Sequence, residues 1–402
     1  MTKVPKNWRL LALSDCATIE RGRFSHRPRN APEFYGGCIP FVQTGDVSNS
    51  GGVITAYSQT LNERGLSISK LFPKGTLLMT IAANIGDVAE LGFDSACPDS
   101  LVAILPKDGL NSGYLRRYLE FLKARIHYLA PQNAQKNISV EFLEPLPVLL
   151  PPLPEQQKIA AILGAWDRAI EKLQTLVKAK TERLGALRQQ ILTGTRRFPK
   201  FNEHSWVTKR VGDLLKSVNH YEKWDDRRTF KLAGVRRNSG GVFFRDELLG
   251  AEIKVKVCKK IHSGDFLISR RQITWGGMSI VPPEFHGYDV NDEYEVLTVR
   301  DPAAFDMRFF HYLSQTARLK NLAYLASNGV FAERLRLNFD LDAFLHQPIR
   351  VPSLKEEQLK IVAVLDSCVR EIRLLEAELD ALKQQKRGLM QKILTGTIRV
   401  KP

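Results

Sequence analysis

Ile191-Leu192-Thr193-Gly194-Thr195 returns in the same chain as Ile393-Leu394-Thr395-Gly396-Thr397, so that Gly194 lands on Gly396 at an offset of 202 residues. The same offset holds upstream without a gap. Glu155-Gln156 lands on Glu357-Gln358, and Lys158-Ile159 on Lys360-Ile361. Leu163, Arg168, Ile170, Leu173, Leu187 and Gln189 land on Leu365, Arg370, Ile372, Leu375, Leu389 and Gln391. A second echo has an offset of 198: Trp8, Leu13 and Asp15 against Trp206, Val211 and Asp213. Between these segments the two halves match poorly. The chain is an internal pseudo-twofold repeat that keeps one framework and varies what it carries.

The repeated segment predicts a long helix. Its apolar positions step by four and three alternately. The first copy reads Ile159, Leu163, Trp166, Ile170, Leu173, Val177, Lys180, Leu184, Leu187 and Ile191. The second reads Ile361, Leu365, Cys368, Ile372, Leu375, Leu379, Leu382, Lys386, Leu389 and Ile393. Such a sustained a/d seam needs a partner helix, and the equal-length copy in the same chain is the economical one. No proline interrupts either run. Pro152, Pro154 and Pro352 stand ahead of the helices, where proline is tolerated. Gly194 and Gly396 fall where a helix would end on a left-handed residue. Each seam carries one lysine. Lys180 and Lys386 either fix the register as buried polar intrusions or snorkel to the surface.

The segments between the helices read as mixed α/β domains. Short apolar runs follow turn glycines, as in Lys74-Gly75-Thr76-Leu77-Leu78-Met79-Thr80 and Ser263-Gly264-Asp265-Phe266-Leu267-Ile268-Ser269. An amphipathic helix is expected near the end of each, around 114–128 and 307–326. The organisation is therefore 1–150, a first variable domain; 151–200, a helix; 201–350, a second variable domain; and 351–402, a second helix.

Composition narrows the function. The chain of 402 residues is 44% hydrophobic and 25% charged, the balance of a globular protein. No run of about 18 apolar residues predicts a membrane span, and the N-terminus has no signal-peptide core. Cys16, Cys38, Cys97, Cys258 and Cys368 are odd in number, sparse and without CxxC spacing, which argues against a disulfide framework or a zinc site and suits a reducing cytoplasm; no metal ligands are expected. The net charge of +16 points to a polyanionic partner. It is distributed as +3, +6, +4 and +3 over the four segments, as a surface laid along a polyanion requires, with nucleic acid the first candidate. Arginines gather in expected loops: Arg21, Arg23, Arg27 and Arg29 in the first domain, and Arg227, Arg228, Arg236, Arg237, Arg270 and Arg271, with Gln272, in the second. Arginine and glutamine forks match purine edges and phosphates.

Catalytic motifs are sparse. There is no G-x-x-x-x-G-K-[ST], no G-x-G-x-x-G after a strand, no Asn/Asp-Pro-Pro-Tyr/Phe and no H-x-x-x-H. Asp246 with Glu252-Ile253-Lys254 has only the outline of a nuclease pattern.

The Pro152-Leu153-Pro154-Glu155-Gln156 helix start, the repeated I-L-T-G-T ends and the Trp8 and Trp206 echoes together resemble the specificity subunit of Type I restriction–modification enzymes. So do 36–46 and 264–271. The resemblance covers the whole chain. It implies two α/β (α+β) target recognition domains joined by two long helices packed as an antiparallel coiled coil. It implies a non-catalytic, cytoplasmic DNA-binding subunit that reads a bipartite double-stranded site. Two modification (methyltransferase) subunits and the restriction subunits would be its partners. S-adenosylmethionine, ATP and Mg would be cofactors of those subunits, with none in this chain and no membrane involved. A subunit serving a Type IIB-like enzyme fits the same residues. A stand-alone DNA methyltransferase or nuclease, and a coiled-coil adaptor without DNA, are rivals of other classes.

Residues 155–193 as one helix would span roughly 58 Å, at about 1.5 Å per residue. Two readers entering major grooves on one face of DNA would have half-sites about one turn, roughly 34–36 Å, apart. Inserting four residues before Gly194 is expected to lengthen the tolerated spacer by about one or two base pairs, leaving both half-site sequences unchanged. Selection of bound sites from a library of spacer lengths checks this; an unchanged spacer in a folded, binding variant contradicts it.

Overall fold

The computed structural model describes residues 4–26, 28, 30–82, 84–129, 137–328 and 338–401. Two helices of 40 residues dominate it, Leu153–Leu192 and Lys355–Leu394. The remaining elements divide into two compact units, Met1–Thr175 with Ala377–Pro402, and Leu176–Glu376. The division cuts both long helices near their middles. Each unit thus owns one variable region, the start of one helix and the end of the other.

The seam positions behave as the heptad requires. Ile159, Leu163, Leu184, Ile191, Ile361, Leu365 and Ile393 are buried. Trp166, Ile170, Leu173, Val177, Leu187, Cys368, Ile372, Leu375, Leu379, Leu382 and Leu389 are half-buried, while the flanking c and f positions face solvent. In the first unit, Ile159 and Leu163 share one core with Met390, Ile393 and Leu394. In the second, Leu184, Ile191 and Leu192 share one with Ile361, Val362 and Leu365. A helix start packs beside a helix end in both, so the pair runs antiparallel. The ends are the most buried parts because the domain cores close over them.

The two seam lysines behave differently. In the first unit Lys386 is largely buried, 2.7 Å from Asp167 and 3.1 Å from Glu120. Asp167 also takes Arg117 at 2.6 Å and Arg116 at 3.4 Å. Burial alone would lower the Lys386 ammonium, but Glu120 and Asp167 outweigh it and hold its pKa above the ordinary lysine value. In the second unit Lys180 stays half-exposed and meets Glu371 at 2.6 Å. Lys386 is therefore a buried polar anchor, and Lys180 a surface pair across the seam.

Both variable regions fold to the same plan despite their divergent sequences. Each opens with a strand that pairs antiparallel with the strand entering a long helix: Arg9–Ala12 with Pro147–Leu150, and Trp206–Arg210 with Pro348–Pro352. In one sheet of the first unit, Ala17–Arg21, Leu101–Pro106, Leu77–Thr80 and Val88–Leu91 lie in that order, with Val53–Ile54 added at the edge. The second unit repeats the order as Leu215–Ser217, Tyr294–Val299, Phe266–Ser269 and Met278–Ile280. In the other sheet, Gln59–Leu61, Tyr35–Phe41, Ser95–Ala96 and Leu71–Phe72 correspond to Val242–Leu249, Thr229–Val235, Asp289–Asn291 and Cys258–Lys260. Here the second unit adds an edge strand, His220–Tyr221. Helix Ser112–Leu129 packs on the first core, and Met307–Ser314 with Ala317–Leu325 on the second.

The repeated Glu-Gln and T-G-T have a shared purpose. Glu155 is 3% exposed and Glu357 1%. Glu155 receives the Trp8 indole N–H at 3.1 Å and a two-pronged Arg399 guanidinium at 2.9 and 2.7 Å. Glu357 receives Trp206 at 3.2 Å and Arg197 at 2.9 and 2.7 Å. Each arginine lies just past the end of one helix, and each glutamate at the start of the other. Gln156 and Gln358 clasp backbone: Gln156 takes the N–H of Asn111 at 2.8 Å, and Gln358 that of Asp306 at 3.0 Å. Gly194 and Gly396 end the helices at φ +74 and +70, each against the tryptophan of its unit. A side chain at Gly396 would also strike Pro5, 2.3 Å from its Cβ position.

Burial by itself would raise the Glu155 carboxyl, but Arg399, Trp8 and the Val400 N–H outweigh it and hold its pKa below the ordinary value. The stabilisation is therefore full at neutral pH and lost as pH falls through that depressed value. Arg399→Ala is expected to cost on the order of 1–3 kcal/mol at neutral pH, with a smaller deficit in acid. Thermal unfolding of wild type and variant at about pH 7 and about pH 4 measures both, and an acid-independent difference would contradict the clamp.

Candidate DNA-recognition surfaces

In the second unit two arginine loops are brought together. Strands Thr229–Val235 and Val242–Leu249 form a hairpin whose tip is 236–241. Asn238 and Ser239 hold positive φ of 54 and 56, and Gly241 one of 87, which curls the tip. The tip is tied to the loop after strand Phe266–Ser269: Asn238 N–H donates to the Trp275 carbonyl at 2.6 Å, and Ser239 N–H to that of Gly276 at 2.9 Å. The Arg237 guanidinium stacks over the half-exposed Trp275 ring at 5.3 Å, and Arg236 over Phe243 at 4.9 Å. Lys320, from helix Ala317–Leu325, packs against Gly276. Arg271 is exposed and meets Glu293 at 2.5 Å, and Gln272 is half-buried beside it. The result is a basic face around one exposed indole, suited to phosphates and base edges.

The other arginines of this unit are committed elsewhere. Arg270 is held by the buried Glu295, with Nε at 2.5 Å from Oε1. Arg228 Nη2 donates to both carboxylate oxygens of the buried Asp289 at 2.9 and 3.0 Å, while its Nη1 meets Glu222 and the guanidinium stacks on Phe230 at 4.4 Å. Burial pushes the Asp289 carboxyl up, and Lys260 and Arg228 oppose it. Arg227 is exposed next to Arg228. Both precede the strand whose far end carries Arg236, so its seven residues separate them from the hairpin tip by about 23 Å. Asp246 and Glu252 cap backbone N–H groups, of Glu247 at 2.9 Å and Leu249 at 2.8 Å.

In the first unit Gly22 and Phe24 anchor the arginine segment. A Cβ at Gly22 would lie 2.2 Å from the Pro98 carbonyl, so only glycine lets the chain pass. Phe24 is buried. Arg21 and Arg23 stand exposed on either side of Gly22, with Arg21 Nε donating to the Asp99 carbonyl at 2.7 Å. Arg27 and Arg29 lie outside the described residues. The segment that follows strand Leu77–Thr80 here, 81–86, carries no basic residue, unlike 270–277, which follows strand Phe266–Ser269. The same framework thus presents its charge from different loops in the two units. Trp275-Gly276-Gly277 stands close behind Arg270-Arg271-Gln272 in the sequence and is legible there as part of the cluster, whereas Lys320, on a helix far along the chain, carries no sequence signal that links it to this face.

A family model described as the Type I restriction modification DNA specificity domain matches twice, over residues 5–181 and 203–384. The Type I restriction enzyme MjaIX specificity subunit of Methanocaldococcus jannaschii is 28% identical over 231 residues, covering 53% of this chain and 53% of its own length. The match thus reaches about half of that relative. The MjaVIII specificity subunit of the same organism is 21% identical over 436 residues, 99% of this chain and 95% of its own. Among solved structures, the S subunit of a Type-I restriction-modification system from M. genitalium aligns with a TM-score of 0.55 at 16% identity, covering 97% of both chains. A chain from a structure describing assembly and conformational transition of the type I R-M system aligns at 0.58 and 16% identity, covering 98% of this chain and 100% of its own. These two likenesses bear on the fold.

The contacts separate two kinds of arginine. Arg237→Ala and Arg271→Ala are expected to leave thermal stability unchanged and to weaken DNA binding by about 1–3 kcal/mol for a base contact, or to lower the salt slope by about 1 for a phosphate contact. Arg228→Ala and Arg270→Ala are expected to lower stability, because Asp289 and Glu295 lose their partners. Melting curves and salt-dependent binding isotherms on one variant set check the division.

Proposed function

The chain belongs to the family of Type I restriction modification DNA specificity domains, and on that premise we propose that it is the DNA-recognition subunit of a Type I restriction–modification system, reading a bipartite double-stranded site with one half-site per unit. The observation that carries this is the duplicated framework with unlike loops: two units of one topology whose exposed arginines come from different places. In this reading the subunit is non-catalytic. Two modification subunits methylate adenine using S-adenosylmethionine, and restriction subunits add ATP- and Mg-dependent cleavage. Among the described residues, no helix is long and apolar enough to cross a membrane. The cytoplasm, where the host DNA lies, is the proposed location.

Two experiments test the reading. Exchange of residues 1–150 for those of a relative is expected to change one half of the methylated site and leave the other, read by sequencing modified adenines. Change in both halves would refute independent reading. The purified chain alone is expected to bind DNA without transferring methyl groups or cutting, and to support methylation once modification subunits are added. Turnover by the chain alone would instead favour a stand-alone enzyme.

A further inference from the structure

Three of the eight histidines of the chain meet in the second unit around one buried carboxylate. The His220 and His262 rings are 4.5 Å apart, and those of His262 and His286 5.2 Å. Asp265 is 6% exposed. The ligand-capable atoms of His220, His262 and Asp265 all lie within 4.8 Å of one another. Asp265 spends one oxygen on the turn, where Oδ2 accepts the His262 N–H at 2.7 Å. His286 Nδ1 accepts the Ser263 N–H at 3.3 Å, which ties a third imidazole to the same turn.

The first unit has this turn without these side chains. Setting Gly75 on Gly264 places Pro73 at His262 and Thr76 at Asp265. The backbone link is shared: Thr76 N–H reaches the Pro73 carbonyl at 3.2 Å, and Asp265 N–H that of His262 at 3.0 Å. Thr76 then satisfies itself, its hydroxyl donating to the Pro73 carbonyl at 2.7 Å. The turn folds with a threonine, so it does not itself require an aspartate and a histidine. His220 lies on the edge strand His220–Tyr221, the strand that the second unit adds to the common plan.

We propose that His220, His262 and Asp265 form a binding site for one divalent transition-metal ion of the zinc class. Two imidazole nitrogens and one carboxylate oxygen are a donor set that such ions take, with a fourth position left for water. His220 is exposed and can rotate to close the remaining distance to the ion. The ion would fasten the added strand to the turn that feeds strand Phe266–Ser269, whose other end carries Arg270. His286 would stand behind the ligands rather than among them.

The test uses the untagged full-length chain, freed of metal with a chelator. Zn2+ is titrated in by calorimetry and Co2+ is followed by its visible absorption. One equivalent is expected to bind, and the unfolding temperature to rise with Zn2+. His220→Ala and His262→Ala should each weaken binding by more than about tenfold, the loss that even an outer partner of a metal ligand can cause. Asp265→Asn, which keeps an acceptor for the turn, should weaken it likewise, and His346→Ala should not. Absence of stoichiometric binding by the wild-type chain overturns the site. So does unchanged affinity in the His220→Ala, His262→Ala double variant.

Discussion

A buried carboxylate at the start of each long helix, Glu155 or Glu357, organises its unit. A glutamate that is 3% or 1% exposed is costly unless its oxygens are filled. Here a tryptophan indole and an arginine fork fill them. The arginine comes from beyond the end of the opposite helix, and the tryptophan from the first strand of the variable domain. One side chain therefore fixes three things: the antiparallel pairing, the helix ends and the seat of the domain. In the first unit the three partners are Glu155, Trp8 and Arg399, so the clamp draws together residues far apart in sequence. In the second they are Glu357, Trp206 and Arg197.

With the frame held in this way, the loops are released from structural duty and can vary. The sheets keep their strand order while the charge moves from the segment around Gly22 in the first unit to the hairpin and Trp275 loop in the second. Where an arginine does carry structure, as Arg228 and Arg270 do, it answers a buried carboxylate in the domain core. Stability and recognition thus draw on the same residue type at different addresses.

The helices were legible in the sequence because their signal is periodic and duplicated. Ten seam positions recur at one offset, and all are buried or half-buried in the structure. The Glu-Gln repeat was visible too, but its meaning was not, since Trp8 and Arg399 are hundreds of residues apart in sequence. The likeness of the two variable domains was largely hidden: strand order is set by alternating burial, which many sequences satisfy. The committed roles of Arg228 and Arg270 were equally illegible. Asp289 and Glu295, which hold them, are distant in sequence and look there like ordinary surface acids. The difference between Lys386 and Lys180 rests on Glu120 and Asp167, which only the fold brings to the seam.

In the proposed function each unit reads its own stretch of DNA through its own loops. Site-specific photo-crosslinking tests this most directly, with a reactive side chain placed at Ser25 in one preparation and at Ser239 in another, each bound to target DNA with its partner subunits. Crosslinks are expected to two separate base stretches, one for each position, on either side of an unread spacer. Crosslinks from both positions to the same stretch, or from either one to the spacer alone, would contradict it.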